Sequence, residues 1–455
     1  LEKNARHPQS ADETSPLARF DRDGRVVMDG GGRTVTVDWR TGTTREEKTA
    51  APRLRWGTAV SADGKLRAEA VAPKDQPGRA LDVVVTEAAT KRVVGRLGGV
   101  SDFPRGMAFA DRARLLVTAA QDNVLAVWDI AAGKQLWSEA YPARAFGYMG
   151  MGDPVFDAAG RRMAVCTMAE RTTVIDVWEL RQRVRVTRVE VPETLLTAGV
   201  AFSPDGEFVA GGADAVTVWR VADGRAVHTL RGHAAPESPN DRAEIRCAYS
   251  ADGGKLLTID LAGTIRVWEA ATGGVIRTFT GHHGRTGAAF SADARTVVGA
   301  SSDAPVFVWD VYGLGARPPF DAGRLWAALA DPSPETAFRA VRELCASPRE
   351  ATTLLREKLA PESIDPGAVA GWIKDLSAPQ FAARERATAE LEKRGESVAP
   401  LLREALRAAP DAESRRRLAP LVGRTERPSA DGLRVRRALD ALEHLGTPEA
   451  EAHLS

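Results

Sequence analysis

At 455 residues the chain has room for two or three domains. Its 44% hydrophobic and 27% charged content is that of an ordinary globular protein, which excludes disordered and collagen-like classes. A net charge of +1 provides no bulk field toward nucleic acid or an anionic membrane surface. Cys166, Cys247 and Cys345 lie far apart with no metal-ligand spacing, so free thiols are expected, and a reducing, cytoplasmic setting fits them. There is no run of about 18 apolar residues and no signal-peptide pattern. The chain begins at Leu1 rather than Met, so further N-terminal sequence is expected.

In chain order, seven segments repeat one pattern of apolar strand, polar turn and second apolar strand. They are "LARFDRDGRVVM", "GTAVSADGKLRAEA", "GMAFADRARLLVTA", "DPVFDAAGRRMAVC", "GVAFSPDGEFVAGG", "RCAYSADGGKLLTI" and "GAAFSADARTVVGA". Their anchors are Phe20, Val60, Phe109, Phe156, Phe202, Tyr249 and Phe290, spaced 40, 49, 47, 46, 47 and 41 residues apart. A third strand follows each anchor. Five of these carry a tryptophan, namely Trp128, Trp178, Trp219, Trp268 and Trp309, and Val37 and Val85 hold that place in the first two repeats. A turn and a fourth strand come next, with Gly133, Gly224 and Gly273 where a positive φ is needed. Four strands every 40–50 residues predict a seven-bladed β-propeller over 1–315, because each small sheet has two apolar faces that only neighbouring sheets can cover.

The motifs within these repeats resemble the WD-repeat family. "LAVWD" (ending Trp128-Asp129), "IRVWE" (Trp268) and "FVWD" (Trp309-Asp310) are similar to its Trp-Asp signature, and Gly232-His233 and Gly281-His282 to its Gly-His signature. The family's buried tetrad joins a loop His, a strand Ser or Thr, a turn Asp and the Trp. Asp122 and Asp303 stand six residues before Trp128 and Trp309, where that Asp belongs, and Thr118 fits the hydroxyl place. No His precedes the third repeat, Gly299 takes the hydroxyl place of the last, and Ala262 takes the Asp place before Trp268. No blade is therefore expected to keep all four groups, and cohesion should rest on packing. The last repeat lacks its own fourth strand, since "VYGLGARPPF" follows it. The family closes its ring with a strand from the other end of the chain. "LEKN" (Leu1 to Asn4) resembles "LRGH" (Leu230 to His233), so residue 1 is expected to enter partway through that closing strand.

From about Asp321 the apolar spacing changes to three and four. "SPET" and "SPRE" are helix starts, and Gly395 and Gly446 helix stops. The segment "FAARERATAELEKRGESVAPLLREALRAAPDAESRRRLAPLV" resembles the paired antiparallel helices of HEAT-like repeats, so 316–455 is expected to be an all-α tail. Propeller plus tail resembles bacterial, planctomycete-type WD-repeat proteins, some of which carry an upstream kinase or sigma-factor domain. "TPEAEAHLS" begins a new helix, so the tail is expected to continue past Ser455.

Candidate sites are few. The "SPDG" and "SADG" turns lack the alternating carboxylates of a calcium loop and read as strand turns. His282-His283 have no ligand cluster beside them. "RRR" (Arg415 to Arg417) and "RVRR" (Arg434 to Arg437) sit in a region with 21 basic and 22 acidic groups and read as solvated helix faces. Nucleophile elbow, P-loop, zincin and kinase-loop patterns are absent from the sequence. "DIAAGKQLW" resembles a quinoprotein blade motif, but Trp137 has no counterpart in the other repeats. The expectation is a non-catalytic protein-interaction scaffold with no metal and no cofactor. A regulatory module of a larger signalling chain is the alternative, and a quinone-binding propeller a lesser one. Tyr141, Phe146, Tyr148, Met149 and Met151, in one aromatic and Met-rich loop, are the candidate partner contacts.

Overall fold

The computed structural model describes residues 17–20, 23–30, 33–41, 43–47, 57–61, 63–71, 81–141, 154–169, 172–191, 199–212, 215–233, 245–260, 262–281, 286–301, 306–314, 318–359, 365–408, 412–424 and 428–454. Within them the chain forms two compact units, the first closing at Val311 and the second opening at Tyr312. The first unit contains seven antiparallel sheets and the second is helical.

The sheets span 17–47, 58–100, 104–140, 155–191, 201–230, 246–279 and 286–310, and are numbered 1 to 7 in that order. In each, consecutive strands are hydrogen-bonded neighbours, so every sheet is a simple meander. Each anchor residue lies on the first strand of its sheet, and each Trp (or Val37 and Val85) on the third. Side-chain chemistry explains why these segments are strands. In Thr172–Glu179, for example, five of eight residues are β-branched, which suits a pleated surface covered on both faces. The connecting turns take the backbone they need: Gly133, Gly224 and Gly273 have φ of +63°, +69° and +70°. A Cβ at Gly273 would also stand 2.9 Å from the His228 ring.

The cores lie between sheets. Val83, Val85 and Leu97 of sheet 2 share one with Leu116 and Trp128 of sheet 3. Leu115, Val117 and Leu125 of sheet 3 meet Met163, Val165 and Trp178 of sheet 4. Ile175 and Val177 of sheet 4 meet Phe202 and Trp219 of sheet 5, and Val216 and Leu230 of sheet 5 meet Leu256 and Trp268 of sheet 6. Phe279 of sheet 6 stacks on Trp309 of sheet 7 with ring centroids 5.4 Å apart. Val37 of sheet 1 belongs to one core with Val298 and Ala300 of sheet 7. From sheet 3 onward, the third-strand Trp is thus the side chain that meets the preceding sheet. Each fully buried Leu or Val in these joints contributes roughly 1.5–3 kcal/mol. Sheet 7 has three strands among the described residues. Leu1 to Asn4, expected to close it, lie outside them.

The second unit carries α1 (Ala322–Ala328), α2 (Pro334–Cys345), α3 (Pro348–Lys358), α4 (Pro366–Asp375), α5 (Phe381–Arg394), α6 (Ala399–Ala408), α7 (Ala412–Arg424), α8 (Ala430–Leu445) and α9 (Pro448–Leu454). Ser333 caps α2 by accepting from Thr336 N–H, with Pro334 in the first turn. Ser347, expected to cap α3 in the same way, makes no such side-chain bond, because its backbone departs from the extended form that aims a capping oxygen inward. Gly395 and Gly446 end α5 and α8.

These helices are nested rather than sequential. α4 to α7 share one core, with Val369, Leu391, Val398, Leu402 and Leu418 buried in it. α8 then returns to pack on α2 and α3. Arg437 of α8, itself buried, donates to the carbonyls of Leu329 and Asp331 at the end of α1. Tyr312 stacks on His444, with centroids 4.0 Å apart, and its hydroxyl donates to Asp440. The linear succession of periodic segments does not show this return. Among the described residues no helix is long and apolar enough to cross a membrane.

Candidate functional site

The densest polar cluster lies in sheet 6. Trp268 Nε1–H donates to Thr258 Oγ1 at 2.7 Å. Thr258 Oγ1 is 2.6 Å from His233 Nε2, and His233 Nδ1 is 2.8 Å from Asp260 Oδ2. Asp260 Oδ1 accepts from Thr264 N–H at 2.9 Å. One proton assignment satisfies every member: the hydroxyl donates to Nε2, and Nδ1–H donates to the carboxylate. Burial pushes the Asp260 carboxyl up, but the His233 and Thr264 hydrogen bonds and the nearby Arg266 guanidinium outweigh it and hold the group below the ordinary carboxylate range.

This cluster corrects the expectation that no blade keeps a full set. The carboxylate comes from Asp260, eight residues before Trp268, rather than from position 262. Asp260 also holds the turn backbone, accepting from Gly263 N–H and donating to the Thr264 carbonyl. That tight turn carries the carboxylate back to the imidazole. Gly232, with φ of +127°, swings the chain so that His233 can enter from the preceding loop.

Sheet 3 keeps part of the set. Trp128 Nε1–H donates to Thr118 Oγ1 at 2.9 Å, with both residues buried. Asp122 is exposed and accepts from Val124 N–H at 3.1 Å, so it holds the turn and not a histidine. Asp129 accepts from Ala132 N–H in the following turn.

Sheet 4 differs again. Trp178 Nε1–H donates to the Tyr141 hydroxyl at 3.0 Å. Tyr141 leaves the end of sheet 3 half-buried and packs into the joint between sheets 3 and 4. It therefore serves this joint, at the start of the loop expected to carry partner contacts. Trp137 lies in the same joint, its indole N–H on the Leu180 carbonyl at 2.6 Å and its ring 5.4 Å from Trp178. Asp176, two residues before Trp178, is fully buried, and neither carboxylate oxygen has a hydrogen-bond partner. Burial pushes its carboxyl above the ordinary range, against the pull of Arg188 and Arg185.

The remaining signature residues are placed by packing. Trp219 is buried between sheets 4 and 5. Trp309 stacks on Phe307 as well as Phe279. Asp310 is exposed at the strand end, and Gly281 has φ of +132°. His282, Asp303, Phe146, Tyr148, Met149 and Met151 lie outside the described residues.

His233, Thr258 and Asp260 have the composition of a hydrolytic triad, but not its access. Thr258 is 0% exposed and the His233 side chain 1%. The hydroxyl oxygen that would act as nucleophile already accepts the indole proton. No reacting atom could stand within about 3 Å of both nucleophile and base, which such chemistry needs. In the "SADG" and "SPDG" turns, Asp63 and Asp205 accept from Ser61 and Ser203 at 2.7 and 2.5 Å, so these carboxylates shape hairpins. Burial pushes the thiols of Cys166 and Cys247 up to about 12, away from thiolate chemistry. Among the described residues no group of three or more His, Cys, Asp or Glu could hold a metal ion.

Comparison with known proteins agrees with this geometry. The chain is 28% identical over 179 residues to an uncharacterized WD repeat-containing protein of Synechocystis sp., a match covering 39% of this chain and 47% of that protein. The chain thus spans about half the length of the curated relative it matches. No family model matches it. This similarity and the succession of small antiparallel sheets fit a WD-repeat propeller.

Proposed function

We propose that this chain is a non-catalytic protein–protein interaction scaffold, with a closed seven-bladed WD-type propeller over 1–315 and a HEAT-like helical region over 316–455. Closure is supported by the core that Val37 shares with Val298 and Ala300, which makes the first and last sheets neighbours. The helical reading is supported by the common core of α4 to α7. The observation that carries the functional reading is the state of the sheet 6 cluster. The acid, imidazole and hydroxyl that could have formed a reactive centre are closed to solvent and bonded to one another in a chain that holds the sheet. What the propeller offers to other molecules is then its surface, and rigid sheets joined by loops are well suited to recognition.

The test is affinity capture with the whole chain and with a variant carrying Phe146→Ala, Tyr148→Ala, Met149→Ala and Met151→Ala. A defined set of partners should be held by the parent chain and lost by the variant at unchanged thermal stability. Retention of every partner would remove that loop from the contact surface. Substrate turnover by the purified chain would contradict the reading as a whole.

A further inference from the structure

The outermost strand of sheet 4, Val184–Val191, and the turn before it carry Arg181, Arg183, Arg185 and Arg188. The first two are engaged: Arg181 Nε donates to Asp111 at 2.8 Å, and Arg183 reaches Glu139 at 3.3 Å. Among the described residues, the carboxylate that the other two approach is that of Asp176, at 3.8 Å from Arg185 and 3.7 Å from Arg188. Those separations are too long for hydrogen bonds. An arginine fork on a carboxylate closes to about 2.7–2.9 Å and uses two N–H groups at once.

The strand register explains the gap. Asp176 stands opposite Arg188, and Arg185 opposite Trp178 after a bulge. The short aspartate stem keeps its carboxylate at the depth of the core, with no exposed surface. The arginines lie at the rim, 42% and 43% exposed, with the Arg185 guanidinium over the Trp178 ring. Glu139 faces them from sheet 3 but is held by Arg183, and Tyr141 accepts the Trp178 proton. Two guanidinium forks therefore present donors to solvent, around a carboxylate that cannot rise to meet them.

We propose that Arg185 and Arg188 bind carboxylate side chains of an acidic, extended segment of a partner protein, with Asp176 a weak internal occupant that the partner's carboxylate replaces. This rests on the scaffold reading and gives it a partner chemistry. Charge complementarity selects an acidic segment. The extended form follows from the sheet order, in which this strand is the last among the described residues, so its outer edge can accept an added strand. Side chains of that strand would stand about 4.5–5.5 Å from those of its neighbour, within reach of both arginines. Charged side chains on an edge also serve to repel unwanted pairing, and the two roles are separable by experiment.

The probe is a fluorescein-labelled peptide of alternating glutamate and threonine, titrated with the whole chain and followed by anisotropy. Saturable binding is expected, weakened about tenfold or more, or about 1.4 kcal/mol, by Arg185→Gln with Arg188→Gln. Arg181→Gln with Arg183→Gln should change it less than about twofold, and Asp176→Asn should tighten it about threefold. Thermal unfolding of each variant runs alongside. If the glutamine pair does not fold, Arg185→Lys with Arg188→Lys, which keeps the charge and loses the fork, must show the weakening.

Absence of saturable binding would overturn the proposal. So would equal weakening by both arginine pairs, or equal binding of a single-stranded oligonucleotide, since either points to unspecific charge attraction. Unchanged affinity in the Asp176→Asn chain would overturn the exchange with the internal carboxylate. If captured partners persist on the Arg185→Gln, Arg188→Gln chain while no acidic peptide binds, this site fails and the scaffold reading stands.

Discussion

Sheets 4 and 6 carry a tryptophan at the same place in the third strand and satisfy it in opposite ways. In sheet 6 the indole proton starts a chain through Thr258 and His233 to Asp260, which ends on a backbone N–H. In sheet 4 the indole proton goes to a tyrosine from the preceding loop. Two residues before the Trp, sheet 6 has Arg266, 3.1 Å from the His233 ring, and sheet 4 has Asp176, whose carboxylate oxygens have no hydrogen-bond partner among the described residues. The difference teaches what the preceding loop decides. Where it supplies a histidine, the polar groups complete one another inside. Where it supplies a tyrosine, a carboxylate stays buried and its arginines face outward.

The sharpest break of this comparison is His233→Ala. It leaves Thr258 and Asp260 buried without their partner, and a loss of about 3 kcal/mol is expected. Hydrogen exchange of the amides in Lys255–Ile259 and Ile265–Glu269 reads that loss locally, which matters because two units need not unfold together. Unchanged protection there would mean that packing alone holds the sheet. Tyr141→Phe should cost less, about 1–2 kcal/mol, since it keeps the ring and takes the acceptor from the Trp178 N–H. The exchange rates of Thr172–Glu179 report it, and an effect as large as that of His233→Ala would erase the contrast between the sheets. Asp122→Ala is expected to cost about 0.5 kcal/mol or less, because the side chain is exposed and holds one turn N–H. A thermal shift comparable with that of Tyr141→Phe would show that Asp122 does more than hold its turn.

Much of this was legible in the sequence. Seven anchors at near-equal spacing, with a Trp or Val a fixed distance beyond, locate every sheet, because period-two apolar patterning is a local property. The hydroxyl place of Thr118 follows from the same counting. Asp260 did not. The path from Thr258 to Trp268 is as long as that from Thr118 to Trp128, so spacing put the carboxylate at 262. The backbone of the turn, which spacing does not encode, put it at 260. The indole partner of Tyr141 is not legible for a related reason: an aromatic residue at a loop start reads as surface, and the Trp178 that donates to it lies 37 residues on. The helices were visible from their periodicity. That α8 returns to α2 while α4 to α7 keep a core of their own is a long-range matter, which local spacing does not carry.

The central claim is that the carboxylate of sheet 6 holds the fold whereas that of sheet 4 strains it. The two carboxyls should therefore answer pH with opposite signs. Asp176 is raised above its ordinary 3.8, so its favourable contribution is complete below that value and is lost as pH climbs through the raised one. Asp260 is lowered, so its contribution is present above 3.8 and is lost as pH falls through the depressed value. The direct measurement is the Tm of Asp176→Asn and Asp260→Asn against the parent chain at pH 8 and about pH 4. At pH 8 the account predicts a higher Tm for Asp176→Asn and a lower one for Asp260→Asn, with the first gap closing toward pH 4 and the second persisting. A shift of the same sign in both variants at pH 8 would contradict it.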